Sequence, residues 1–164
     1  AAGASELKLV NIGSLGHPQL CARPCLFQAS GTCTNGAGCE FCHLEHSTPP
    51  AVMEKRQRER LLALPRETAI SLTFPLLAQK VFEVSTAPQI VSAYRALCEA
   101  SGAPLGCTEM NRRLCRTERS LNSTFSAMNC RRLAIMLKRT LLRERPEAVA
   151  AADHLVEVLL QLAQ

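Results

Sequence analysis

The chain has 164 residues, of which 47% are hydrophobic but only 4% aromatic, and it carries a net charge of +5. Leu and Ala supply most of the apolar surface, a composition that favours packed helices over a β-sheet. The single Asp, Asp153, and the lack of a phosphate-binding glycine motif or a nucleophile elbow argue against an enzyme. No apolar run approaches the roughly 20 residues that span a bilayer, so we expect no membrane segment.

The cysteines are clustered rather than spread over the chain. There are nine, and five fall within 22 residues: Cys21, Cys25, Cys33, Cys39 and Cys42. A small secreted domain uses paired cysteines as staples across the fold, whereas an odd, clustered set fits a metal site in a reducing compartment. The starting segment AAGASELKLV lacks the charged start and apolar core of a secretory signal. We therefore expect an intracellular protein of the nucleus or cytoplasm.

Residues 1–20 contain Gly and Pro and little periodicity, which predicts an irregular lead-in. In residues 21–46, Cys25, Cys33, Cys39 and His43 follow the spacing Cys-x7-Cys-x5-Cys-x3-His. Three thiolates and one imidazole complete a tetrahedral shell, so we predict one structural Zn²⁺. The spacers are rich in Gly, Ser, Thr and Asn, as a backbone folded tightly around an ion requires. Apart from the metal, this segment can bury little beyond its four large apolar side chains, Leu26, Phe27, Phe41 and Leu44.

This spacing resembles the CCCH-type zinc finger, a module chiefly known for binding single-stranded RNA; the resemblance covers residues 21–46 only. It implies that aromatic side chains stack between unpaired bases. Phe41 stands two residues after the third Cys, where members of the tristetraprolin type carry a stacking aromatic. Those proteins carry another aromatic two residues after the second Cys, where this chain has Asn35. They also have a basic and aromatic segment before the first Cys, where this chain has the sequence CARP at residues 21–24. The resemblance therefore does not imply specificity for AU-rich RNA. Phe27 fits either a second stacking platform or the small core, and Arg23 and Asn35 are further candidates for RNA contacts.

Two alternatives concern the metal. The first is that Cys21 or Cys42 competes for the ion. Cys42 directly precedes His43, and adjacent residues on a tight turn seldom both face one ion, so Cys42 is interpreted as a bystander. The flanking His17 and His46 are expected to be solvent-exposed. The run Cys39-Glu-Phe-Cys42-His43 also matches the signature for covalent attachment of c-type haem. Zinc is favoured because haem attachment would leave Cys25 and Cys33 without a role.

The rest of the chain predicts helices. Residues 51–64 form a charged, basic linker helix that Pro65 ends, and residues 67–164 form a helical bundle. Within the bundle, residues 67–74 are ambiguous, and the boundary signals predict helices around 75–84, 87–101, 109–119, 123–144 and 146–164. Thr86 is the expected cap of the second, whose core stripe is Ile90, Tyr94, Leu97 and Cys98. In the last, a three–four repeat predicts a stripe of Val149, Ala152, Val156, Leu159 and Ala163. The cap of the fourth is Asn122 or Ser123. The fold class is thus a small, irregular zinc-stabilised finger followed by an all-α helical bundle.

The charge lies in the helical half. Residues 105–145 carry ten basic and three acidic groups, a net of +7, whereas residues 17–46 have a net charge of −1. We expect single-stranded RNA to be bound by one finger that stacks bases and by basic helices that hold phosphates, with Arg112, Arg116 and Arg119 on one helix face. The alternative is a zinc-stapled protein-interaction module whose C-terminal helices dock on a partner.

Overall fold

The computed structural model describes residues 11–48, 51–105 and 113–164. Over these ranges the chain is helical and has no strand, only an isolated parallel bridge between Pro24 and Cys42. Two single 3-10 turns, Ile12–Ser14 and Gly36–Gly38, lie in the N-terminal part. The α-helices are α1 Leu26–Ala29, α2 Lys55–Ala63, α3 Arg66–Val84, α4 Pro88–Ser101, α5 Arg116–Ala127, α6 Cys130–Arg139 and α7 Pro146–Leu162. A helical body that follows an irregular Cys/His-rich segment is therefore confirmed.

Helices α4 and α7 begin and end close to where their boundary residues predict, whereas α2 begins at Lys55, four residues after the predicted start at 51. A capping box of Glu54 and Gln57 starts α2, and Pro88 and Pro146 occupy the first turns of α4 and α7. Gly102 ends α4 with a left-handed φ of 74°, a conformation that costs glycine little. The cap of α4 is Ala87, one residue after the expected Thr86.

Helix α3 corrects one prediction, because it runs unbroken through residues 67–74 and past Pro75. A proline inside a helix removes one hydrogen bond and costs about 3 kcal/mol or more. Large apolar side chains are buried on both sides of it, among them Leu72, Phe74 and Leu77. Each contributes roughly 1.5–3 kcal/mol by burial, which outweighs the defect.

Helices α5 and α6 correct another prediction. Asn122 and Ser123 lie inside α5 rather than at a cap, and the intended single helix to about residue 144 is divided between α5 and α6. The cap of α6 is Asn129, whose Oδ1 accepts a hydrogen bond from the backbone N–H of Arg132 at 2.9 Å. Residues 109–112 of the predicted helix 109–119 lie outside the described residues.

The core lies between the helices of the body. Helices α4 and α7 pack most extensively, and α6, α3, α5 and α2 extend the same cluster. In α4 the predicted stripe of Ile90, Tyr94, Leu97 and Cys98 is buried. In α7 the buried face is Ala148, Ala152, Leu155 and Leu159. Of the predicted stripe, Ala152 and Leu159 are buried, Val149 and Val156 are half-buried, and Ala163 is exposed. None of the described helices combines the length and apolarity needed to cross a bilayer.

The Cys/His-rich segment is joined to the body at the start of α6. The backbone N–H of Cys130 donates to the carbonyl of Gln19 at 3.0 Å. The amide of Asn129 donates to the carbonyls of Pro18 at 3.2 Å and Cys21 at 3.0 Å. Leu20 is 1% exposed and belongs to the apolar cluster of the body. Residues 17–21 are thereby fixed against the first turn of α6, whereas the domain boundaries expected from sequence stay a prediction.

Candidate metal centre

The structure brings together the four residues that the finger spacing singles out. One side-chain donor atom from each of Cys25, Cys33, Cys39 and His43 lies within 4.8 Å of every other. The sulfurs of Cys25 and Cys39 are 3.9 Å apart. Two thiolates on one tetrahedral zinc, each at about 2.3 Å, would be about 3.8 Å apart, so the spacing suits this ion. We call this group the first cluster.

Short local turns aim these donors inward. Helix α1 starts directly after Cys25, and the N–H of Gln28 donates to the Cys25 sulfur at 3.4 Å. Burial opposes ionisation of Cys25, but hydrogen bonds from Gln28 and from the thiols of Cys33 and Cys39 outweigh it and lower its pKa. A lowered pKa favours the thiolate, which is the form that binds a metal.

His43 provides the test of whether a metal fits. Its Nε2 is buried and makes no hydrogen bond to any described residue. A buried polar atom without a partner costs about 1–3 kcal/mol, and a bond to a metal removes that cost. Three sulfur donors and one such nitrogen are a donor set that zinc prefers. The described residues therefore fit a zinc ion.

Asn11 is a positioning residue that the sequence did not reveal, because it lies 14 residues before Cys25, the first ligand of the finger. It is 3% exposed, and its amide donates to the carbonyls of Cys39, at 2.6 Å, and Phe41. Its Oδ1 accepts from the hydroxyl of Ser14 and from the backbone N–H of His43, the latter at 3.3 Å. Asn11 thus fixes the backbone of residues 39–43, which carries Cys39 and His43 of the first cluster.

Replacement of Asn11 by Ala should destabilise this loop. The change removes the hydrogen bonds of the Asn11 amide to the carbonyls of Cys39 and Phe41, each worth about 0.5–1.5 kcal/mol, although the Cys39 carbonyl keeps the N–H of Gly13 at 2.9 Å. We expect a lower melting temperature of the finger signals and weaker zinc retention against a competing chelator. Asn35→Ala is the control, since Asn35 is exposed and its side chain makes no capping bond. Equal behaviour of the two variants would contradict the role given to Asn11.

A second cluster, of His17, Cys21, Cys42 and His46, lies beside the first. Its four donor atoms also lie within 4.8 Å of one another. Cys21 and Cys42 are fully buried, and both histidines are half-buried, with ring centroids 4.7 Å apart. The expectation that His17 and His46 are solvent-exposed is therefore wrong. Cys42 lies outside the first cluster, as expected, but its sulfur is one of four donors that could hold a second ion. The reason is tertiary: residues 17–21 pack against residues 42–46, which sequence separation concealed.

A sequence signal for the second cluster did exist. Cys42-x3-His46 repeats the Cys39-x3-His43 spacing of the finger, and His17-x3-Cys21 repeats it in reverse order. Burial, and then the neighbouring Cys42, raise the pKa of the Cys21 thiol to about 12. Burial, and then the imidazole of His17, lower the pKa of His46, which keeps it in the neutral form that ligates metals.

The division into two clusters counts against haem. Covalent attachment of a c-type haem would require Cys39 and Cys42 to bond to the same haem ring, with His43 as a ligand of its iron. In the structure Cys39 and His43 belong to the first cluster and Cys42 to the second.

The candidate RNA-binding residues fall into two groups. Phe41 and Arg23 line a cleft of about 710 Å³ together with Arg58 of α2 and with Arg131, Arg132 and Arg139 of α6. Among the described residues that line it, Glu40 is the single carboxylate. Phe27 and Asn35 are exposed elsewhere on the finger and do not line this cleft, and neither do Arg116 and Arg119 at the start of α5. Arg112 lies outside the described residues.

Comparison with models of protein families, with curated proteins and with solved structures gives no match to this chain.

Proposed function

We propose that this protein binds single-stranded RNA through a zinc-stabilised finger of the CCCH type, assisted by the arginines of α2 and α6. The observation that supports the proposal is the shared cleft, which the exposed Phe41 of the finger lines together with arginines of the helical body. Free thiols at two Cys/His clusters require a reducing environment, so we place the protein in the nucleus or cytoplasm.

Phe41 is the stacking residue in this proposal. Its side chain is 50% exposed although the flanking Cys42 is buried, so the ring projects from a rigid backbone. The backbone carbonyl of Phe41 accepts a hydrogen bond from the buried amide of Asn11, which fixes the backbone from which the ring projects. A base stacked on an aromatic side chain contributes about 1–3 kcal/mol and requires no particular sequence.

The arginines of the cleft are the phosphate-binding residues. Nη1 of Arg132 is buried without a hydrogen-bond partner among the described residues. Burial, and then the nearby guanidinium of Arg23, lower the pKa of Arg132. A phosphate in the cleft would pair with this guanidinium and offset both costs. Arg131 and Arg132 also lie in the first turn of α6, where the helix dipole favours an anion.

Replacement of Phe41 by Ala should weaken RNA binding by about 5- to 150-fold, the loss of one stacked base. The measurement is fluorescence anisotropy of a short, unstructured, labelled RNA at low salt. Phe27→Ala is the matched control, because Phe27 is 66% exposed on α1 and lies outside the cleft. Undetectable binding by the wild-type chain would refute the function, and equal losses in both variants would refute the assignment of the cleft.

Protein docking is a second candidate, favoured by the apolar surface of α1. Leu26 is 82% and Phe27 66% exposed, although the small core was one interpretation of the sequence for both. Adjacent exposed apolar side chains on a rigid helix are typical of a docking site. This candidate replaces the first if the wild-type chain binds no RNA at low salt and Leu26→Ser with Phe27→Ser abolishes association with a purified partner protein.

A further inference from the structure

The second cluster has a donor set that nothing in the proposed function uses. Two sulfurs and two imidazoles satisfy zinc without help from water, as in closed structural sites. The Cys42 sulfur lies 3.4 Å from Nδ1 of His17, and the Cys21 sulfur lies 3.9 Å from Nε2 of His46. Sulfur and nitrogen on one tetrahedral zinc would be about 3.6 Å apart, and the two distances lie on either side of that value.

We propose that His17, Cys21, Cys42 and His46 form a second zinc site, separate from the first cluster, which fastens the finger to the helical body.

The two clusters are separate because the backbone between them is extended and paired. Cys42 donates its N–H to the carbonyl of Arg23 and accepts from the N–H of Cys25, both at 2.8 Å. Successive side chains of an extended segment point to opposite faces. Cys42 and His43 therefore point away from each other, which lets neighbouring residues serve different ions.

The second site also has the outer contacts that support a metal centre. The Asn129 amide lies 3.8 Å from the Cys21 sulfur as well as donating to the Cys21 carbonyl. Such hydrogen bonds orient a ligand and stabilise its thiolate. Asn129 is at the same time the cap of α6, so one side chain joins the site to the helical body.

The position of the site suggests its role. Its ligands come from residues 17–21, which contact α6, and from residues 42–46, which leave the first cluster. An ion here would link these two segments directly, where hydrogen bonds alone would give a weaker connection. The fixed angle between finger and body would in turn hold Phe41 opposite the arginines of α6.

The test is the zinc content of the 164-residue chain, purified in reducing buffer and measured by native mass spectrometry. We expect two zinc ions per wild-type chain and one in His46→Gln. His154→Gln is the control, since His154 is exposed on α7 and belongs to neither cluster; it should keep two. One zinc in the wild type, including one zinc with a Cys21–Cys42 disulfide, overturns the proposal, and so does His46→Gln retaining two.

If His46→Gln loses both ions, the number of bound thiolates is measured instead, from the absorption spectrum of the wild-type chain loaded with Co²⁺. The intensity of sulfur-to-cobalt charge transfer grows with the number of bound thiolates. Five bound thiolates, three from the first cluster and two from the second, support the proposal, whereas three overturn it. Since this readout uses no RNA, its failure is distinct from failure of the proposed function.

Discussion

Removal of metal from the purified chain should unfold residues 11–48 and leave helices α3 to α7 folded. The reason is that the finger has almost no apolar core of its own. Of the described residues 11–48, Leu20 is the sole buried large apolar side chain other than cysteine, and it packs on the body. Leu26, Phe27, Phe41 and Leu44, which the sequence offered as the small core, are 37–82% exposed. Structural zinc supplies roughly 10–16 kcal/mol of folding free energy in finger peptides, and nothing here can replace it.

The measurement is a two-dimensional amide NMR spectrum before and after addition of a strong chelator. Signals of the finger should collapse to random-coil positions and return with zinc, while those of α4 and α7 serve as the internal reference. Cys39→Ser should reproduce the collapse in the first cluster, and Cys115→Ser should not, because exposed Cys115 lies outside both clusters. An unchanged, ordered finger after complete chelation would contradict this prediction.

Charge reversal in the cleft should have the second-largest effect. Arg131→Glu combined with Arg139→Glu removes two cations beside Phe41 and adds two repelling charges. We expect RNA affinity to fall at least about tenfold. The slope of log affinity against log salt should become shallower by about 0.7 for each phosphate that the variant no longer neutralises. Anisotropy titrations across a range of salt concentrations measure both quantities, and circular dichroism checks that the total helix content is unchanged.

The matched control is Arg116→Glu combined with Arg119→Glu. It changes the net charge by the same amount, but at the exposed start of α5, outside the cleft. We expect a loss of no more than about threefold, because exposed charges at a distance are screened. Equal losses in the two double variants would show that net charge, rather than the cleft, governs binding. That result would instead support phosphate binding by Arg112, Arg116 and Arg119, the helix face expected from the sequence.

The sequence predicted helix boundaries well where proline and glycine determine them. Pro88, Gly102 and Pro146 act through their own backbone geometry, so distant residues matter little. The sequence-based boundaries were wrong where tertiary packing determines whether a helix continues or ends. Burial on both sides of Pro75 keeps α3 intact, and Asn129 rather than Asn122 caps a helix because it also contacts residues 18–21.

The candidate site was predictable to the extent that it is local. The first cluster spans 19 residues with a recognisable spacing, and the structure brings its members together. The second cluster requires residues 17–21 to fold back on residues 42–46, a pairing that no local pattern specifies. The same holds for the cleft: helical periodicity pointed to Arg112, Arg116 and Arg119, whereas tertiary packing places Arg131, Arg132 and Arg139 beside Phe41.

X-ray absorption at the zinc edge tests the central claim, zinc held by cysteine and histidine, most directly. For the 164-residue chain we predict sulfur at about 2.3 Å and nitrogen at about 2.0–2.1 Å, averaging about 2.5 sulfurs and 1.5 nitrogens per zinc when both clusters are filled. With the first cluster alone, the average is about three sulfurs and one nitrogen. A shell of oxygen or nitrogen without sulfur, or a chain purified without stoichiometric zinc, would contradict the account.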